Sequence, residues 1–278
     1  MAEFGGQSST ATLHRVLVRQ PPADCSDWQS YGWNAEPDAG QLAAEHAALC
    51  GLLESAGVEV VVGPPTTLDA IYAYDPALVS DSGAVLLRPG KTQRLGESRD
   101  LEEVLAGAGV PVAARLEDSQ LAEGGDFFWL DQNTLCAGHS YRTNAAGIRA
   151  LERLLDVEVQ VFDLPHLQGP TMCVHLLSLL SPLADDLVVA YPPLVPVRLM
   201  QLLAAGGVEI VEVPDDEFET LGPNVLALAP RVALAPERNI ETRRRLEAAG
   251  VDVVVYRAEE LSKGDGGPTC LTLPLLRG

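Results

Sequence analysis

One arrangement of apolar and polar positions recurs along the chain: a helical run, a stop of small residues, then a strand rich in β-branched residues. The first copy runs from Leu52 to Val62 around Ala56-Gly57-Val58, and the second from Leu101 to Ala114 around Ala108-Gly109-Val110. The third runs from Leu151 to Phe162, the fourth from Leu202 to Val213 around Gly206-Gly207-Val208, and the fifth from Arg245 to Tyr256 around Ala249-Gly250-Val251. The third departs from the rest, with Asp156-Val157 where the others carry glycine. Val58, Val110, Val157, Val208 and Val251 lie roughly fifty residues apart, the spacing of a repeat architecture. Glycine is favoured after a helix that hands over to a strand, because it turns left-handed and caps the last carbonyls.

Further strand-like runs fall between these copies, at Arg15–Arg19, Gly83–Arg88, Asp126–Leu130, Leu187–Ala190 and Val225–Leu228. Prolines punctuate the joints, at Pro64-Pro65, Pro165, Pro193, Pro214 and Pro236. Each repeat thus reads as two or three strands and one helix. The expected fold is α/β, a closed five-bladed propeller-like ring forming a single domain over 13–278, preceded by a loose tail over 1–12. A doubly wound parallel sheet is the alternative. For a nucleotide binder it demands a glycine-rich phosphate loop after an early strand, and neither GxGxxG nor GxxxxGKS/T is present.

The formal net charge of −20 changes the list of partners. Nucleic-acid backbone and anionic membrane surfaces both need a basic face, so neither is expected. A cationic small molecule would be attracted. No apolar run approaches the length that spans a bilayer, and the polar start lacks the features of a signal peptide. The five cysteines are scattered, odd in number and without a CxxC, which points to a reducing cytoplasm rather than a disulfide framework. With no HExxH and no cysteine cluster, neither a metal site nor any cofactor is expected.

Four stretches carry candidate chemistry. Gly264-Asp265-Gly266-Gly267-Pro268-Thr269-Cys270 delivers one cysteine from a glycine-rich loop to the start of an apolar run. A thiolate there would be a strong nucleophile, although buried cysteines are commonly inert. In Glu123-Gly124-Gly125-Asp126 two acids flank two glycines; this is either a solvated turn or a thin backbone beside a ligand. Asp75 stands in an otherwise apolar, strand-like stretch, Ile71–Val79, either ending a strand before Pro76 or offering a carboxylate to a cation. His175 lies in the apolar run Met172–Ser178, as a satisfied core residue or as the general acid/base that a cysteine nucleophile needs.

Taken in order, Tyr74-Asp75 with Leu87-Arg88-Pro89-Gly90 and Arg94, Glu123–Asp126 with Arg142-Thr143-Asn144, His175-Leu176, and Gly266–Thr272 resemble the guanidino-modifying enzymes of the pentein superfamily, most nearly the dimethylarginine dimethylaminohydrolase group. The resemblance implies a five-bladed ββαβ propeller, a small cationic guanidino substrate, and a homodimer as one permitted assembly. It makes Cys270 the nucleophile, His175 the general acid/base and Glu123 the residue orienting guanidinium and histidine. Asp75 and Asp126 would serve the substrate, and Arg94 and Arg142 would bind its carboxylate. Arginine deiminases carry an aspartate two residues after the histidine; here that residue is Leu177. This departure favours an N-ω-methylated arginine, hydrolysed to citrulline and a methylated amine through a thiouronium. Arginine deiminase, amidinotransferase and non-catalytic binding protein are the alternatives.

Overall fold

A computed structural model describes residues 3–167, 169–170 and 174–278; Cys173, from the cysteine census, lies outside them. Five three-stranded sheets are built on one plan. In each, two antiparallel strands are followed by a helix and a third strand parallel to the second. The first blade holds β1 (Leu13–Arg19), α1 (Ala39–Ser55) and β2 (Glu59–Gly63). The second holds β3 (Ala77–Ser80), β4 (Gly83–Leu86), α2 (Glu97–Gly107) and β5 (Val112–Arg115). The third holds β6 (Phe127–Asp131), β7 (Thr134–His139), α3 (Ala145–Leu155) and β8 (Glu158–Asp163). The fourth holds β9 (Leu180–Ala184), β10 (Leu187–Ala190), α4 (Val197–Ala205) and β11 (Glu209–Glu212). A short helix, α5 (Asp215–Phe218), leads to the fifth: β12 (Leu226–Ala229), β13 (Val232–Pro236), α6 (Ile240–Ala248) and β14 (Asp252–Tyr256). The last strand, β15 (Leu273–Arg277), completes the first blade by pairing antiparallel with β1, so the two chain ends close the ring. The fold is α/β and five-bladed, as the repeat implied.

The repeat's punctuation has a direct structural cause. Gly57, Gly109, Gly207 and Gly250 follow their helices in left-handed conformations, with φ of 84°, 72°, 69° and 80°. In the third copy Asp156 takes the same conformation at φ 54°, a strain that aspartate tolerates better than most side chains. Asn144 starts α3 by accepting the Gly147 N–H at 2.9 Å, a side-chain cap for one otherwise orphaned amide. The apolar interior falls into five clusters, each filling the seam between neighbouring blades. The first strand of each blade is innermost, with β9 against β12 and β15 against β3, while the third strands are partly exposed. Loops at one end of the ring therefore converge on its axis.

The segment read as a loose tail makes specific contacts. Gly5 N–H donates to Leu275 O and Gly6 N–H to Asp81 Oδ1, both at 2.8 Å. Gln7 Nε2 reaches Gln132 O, Ser9 Oγ accepts the Trp129 N–H, and Thr10 Oγ1 donates to Asp185 Oδ1. Residues 5–10 thus bond to four of the five blades. Removing residues 1–11 should lower the thermal unfolding midpoint by several degrees in calorimetry. An unchanged midpoint would return this segment to a loose tail.

Candidate functional site

The converging loops enclose a cleft of about 450 Å³ lined by Asp75, Glu123, His175 and Cys270 at one end and by Gln29–Gly32, Asn34, Lys91 and Asp265 toward the mouth. Glu123 is fully buried. Its Oε2 lies 2.8 Å from His175 Nε2, and its Oε1 accepts from Arg142 Nη1 and from the Lys91 N–H, each at 3.2 Å. Burial alone would raise its pKa, but the hydrogen bond and charge of His175 and the Arg142 guanidinium hold it well below the ordinary glutamate range. The His175 backbone N–H donates to Ser178 Oγ at 3.3 Å, and its carbonyl accepts the Ser178 N–H at 3.0 Å. His175 stands at the N-terminal end of the 3-10 turn Leu176–Ser178.

Asp75 sits not in a strand but in the loop before β3. Its Oδ1 accepts the Gly125 N–H at 3.0 Å and lies 4.0 Å from His175 Nδ1, and its Oδ2 receives Arg94 Nη1 at 2.5 Å. Asp75, Glu123 and His175 offer ligand atoms within 4.8 Å of one another. Arg94 and Arg142 already stand against the two carboxylates, so a divalent ion would enter beside two fixed positive charges. The trio also fits a planar monovalent cation, whose N–H groups can be shared between both carboxylates.

Cys270 is carried by a loop whose glycines work by absence of bulk. A Cβ on Gly266 would stand 2.0 Å from the Tyr72 ring, and one on Gly267 would stand 2.4 Å from Asn224 Oδ1. The left-handed residue of this loop is Asp265, at φ 63°, not either of those glycines. Burial, with the Asp75 charge next, pushes the Cys270 thiol up to about 11. His175, the Gly267 backbone and Asn224 act in the opposite direction.

Two residues expected to meet substrate, Arg94 at the edge of the cleft and Asp126 behind it, are bonded to the protein itself. Arg94 is 3% exposed; Nε and Nη2 bind Glu97, Nη1 binds Asp75, and Nη2 also serves the carbonyls of Tyr72 and Asp69. Burial opposes its charge, but Glu97 and Asp75 hold its pKa well above the ordinary arginine value. Its donors are spent on propping Asp75, and few remain for a substrate carboxylate. Asp126 does not line the cleft. It is fully buried behind it, accepting from Ser140 Oγ at 2.7 Å and from the Leu176 N–H at 3.0 Å, and so anchors the turn that follows His175.

The sequence reading missed Lys91, Asp69 and Asn224. Lys91 Nζ binds Asp69 Oδ2 and Tyr31 O, each at 2.5 Å, while Trp33 Nε1 donates to Asp69 Oδ1 at 2.8 Å. These bonds fix the loop between β1 and α1 that carries Trp28, Tyr31 and Trp33 at the cleft mouth. Asp69 could have been found by the signal that marked Asp75, an acid in an apolar stretch. Asn224 had no such signal.

Comparisons with known proteins agree with this fold. The family model described as arginine deiminase matches residues 195–277. The N(G),N(G)-dimethylarginine dimethylaminohydrolase of Pseudomonas aeruginosa is 25% identical over 93% of this chain and 98% of its own. An arginine deiminase of Rhodococcus opacus is 32% identical, over 59% of this chain and about half of its own length (49%). A cysteine-to-serine variant of the Pseudomonas enzyme, solved in complex with citrulline, superposes with a TM-score of 0.78 at 23% identity, covering 94% of this chain and 99% of that one. The chain has the five-bladed fold of these enzymes and is similar to one of them over nearly its whole length.

The amidinotransferase of Microseira wollei also superposes, at a TM-score of 0.78 and 18% identity, covering 99% of this chain and 97% of that one. No helix among the described residues is long and apolar enough to cross a membrane.

Burial raises the Asp126 carboxyl to about 6 against the counter-effects of His175, Thr143 and Ser140. A raised pKa means that the protonated form stabilises the fold. That contribution is full below the unfolded value near 3.8 and is lost as pH rises through about 6. Asp126→Asn removes this titration. The stability of wild type relative to the variant should therefore decline across that window in denaturant titrations. A difference that stays constant with pH would remove Asp126 from the account.

Proposed function

We propose that the chain hydrolyses a substituted guanidine through a covalent intermediate on Cys270, with an N-ω-methylated arginine as substrate and citrulline as product. The observation that carries this reading is the convergence of Cys270, His175, Glu123 and Asp75 on one cleft, with His175 already bonded to Glu123. Guanidinium resists attack by water because its cation is resonance-stabilised, and a sulfur nucleophile divides the difficulty between two steps.

Asp75 and Glu123 hold the guanidinium plane and present its carbon to Cys270. The cation offsets the burial that keeps the thiol protonated at rest, since an opposite charge nearby favours the thiolate. The thiol proton passes to His175, and the sulfur bonds to the guanidinium carbon. His175 then returns the proton to the departing methylamine as the C–N bond breaks, leaving an S-alkyl thiouronium. In the second step the imidazole takes one proton from water, the water oxygen bonds to the same carbon, and the C–S bond breaks; the second water proton passes from the ureido oxygen to the released thiolate, and the imidazolium returns its proton to solvent. Glu123 fixes the ring and stabilises its protonated form.

Leu177, apolar where a second acid would grip an unsubstituted guanidinium, supports a methylated substrate. So does the similarity to a dimethylarginine dimethylaminohydrolase along nearly the whole chain. At the mouth, Lys91 keeps one N–H beyond its bonds to Asp69 and Tyr31, and together with Arg142 it is suited to the substrate's carboxylate.

The test is a citrulline assay on asymmetric dimethylarginine and on arginine, with a Cys270→Ala control. Citrulline from the methylated substrate, lost in the control by a factor of at least about 10⁴, is the expected result. Turnover of arginine alone would make the protein a deiminase, and turnover that survives in the control would overturn the covalent scheme.

A further inference from the structure

We infer that Asn224 is the hydrogen-bond donor that stabilises the Cys270 thiolate, and that it locks the nucleophile to the segment carrying the histidine. The inference rests on the reading of Cys270 as nucleophile but draws on separate contacts. Asn224 is 2% exposed, in the turn between α5 and β12. Its Oδ1 accepts the Thr269 N–H at 3.2 Å, and its Nδ2 donates to Leu177 O at 3.2 Å and to Cys270 Sγ at 3.4 Å.

These partners fix which end of the amide faces the sulfur. Turned over, the amide would set its oxygen against the Leu177 carbonyl and its NH₂ group against the Thr269 N–H, and both contacts would be repulsive. The nitrogen therefore has two N–H groups and two acceptors, one a carbonyl and one the sulfur. A neutral thiol is a weak acceptor and a thiolate a strong one, so the second N–H bond strengthens as Cys270 ionises.

The same amide connects the two reacting groups. Leu177 follows His175 by two residues in the turn leading to β9, while Thr269 and Cys270 belong to the loop leading to β15. Asn224 bonds to both segments and is braced in turn by Ser181, whose hydroxyl donates to Pro223 O and accepts the Val225 N–H. Thr269 Oγ1 adds a bond to Val225 O. Gly267 permits the approach, because a Cβ there would strike the Asn224 side chain.

The experiment measures the alkylation rate of Cys270 by iodoacetamide in the full chain from about pH 7 to about pH 12, a range that brackets the raised thiol value. Peptide mass spectrometry separates Cys270 from the other cysteines. Asn224→Ala removes the donor. Asn224→Asp keeps the volume and the acceptor for Thr269, which safeguards the fold if the alanine variant is unstable. A hydrogen bond to a charged group contributes about 1.5–3 kcal/mol, which is about one to two pH units. Both variants should move the midpoint of the rate profile upward by that amount, lowering reactivity at neutral pH by about 10- to 100-fold.

A role in packing alone would scale the rate equally at every pH and leave the midpoint in place, and that result would overturn the inference. Alkylation does not need turnover, so the two readings fail separately. An Asn224-dependent midpoint without citrulline formation would refute the proposed reaction only. Citrulline formation with an unmoved midpoint would refute the role of Asn224 only.

Discussion

Two carboxylates, Asp75 and Glu123, are kept out of water beside a cysteine, and the rest of the site follows from the need to hold that charge. A lone buried carboxylate would take up a proton rather than bear the loss of hydration. Each here has a guanidinium against it, Arg94 on Asp75 and Arg142 on Glu123, and Glu97 balances Arg94 from behind. Such a network is fragile to single losses. Removing one member of a buried pair typically costs about 3–5 kcal/mol, because the remaining charge has no partner. Arg94 belongs to this support: its work is done through Asp75.

The propeller is what lets so many charges meet. Asp75 precedes the first strand of the second blade, Glu123 precedes that of the third, the His175 turn precedes the fourth, and Cys270 precedes the final strand of the first. Each blade thus presents the entry to its innermost strand at the same end of the axis. Groups far apart in sequence become neighbours without any strand leaving its sheet. Asn224, entering the fifth blade, completes the ring and touches the sulfur. The aromatic loop between β1 and α1 closes the mouth through Lys91 and Asp69, adding a wall that the repeat itself does not supply.

Much of this was legible in the sequence because periodic features leave periodic traces. The helix-stop-strand unit marked five blades, and its one irregular copy still turns left-handed, at Asp156. Cys270, His175, Glu123 and Asp75 were found because each breaks a local rule, as a polar or reactive group in an apolar or glycine-rich setting. Arg94 and Asp126 were also singled out, but the direction in which they face depends on packing between blades, which no local pattern encodes. Asn224 and Lys91 sit in ordinary polar turns. Their meaning comes from partners 46 residues away for Asn224 and Cys270, and 60 for Lys91 and Tyr31. The residues before β1 read as a tail for a similar reason, since their bonds run to other blades rather than to a regular local partner.

Intact-protein and peptide mass spectrometry of an acid-quenched reaction with asymmetric dimethylarginine tests the central claim most directly. The account predicts a transient covalent adduct on the peptide bearing Cys270, with the mass of the substrate less dimethylamine, decaying as citrulline forms. Citrulline production with the cysteine unmodified at every quench time, or an adduct on Cys25, Cys50 or Cys136 instead, would contradict it.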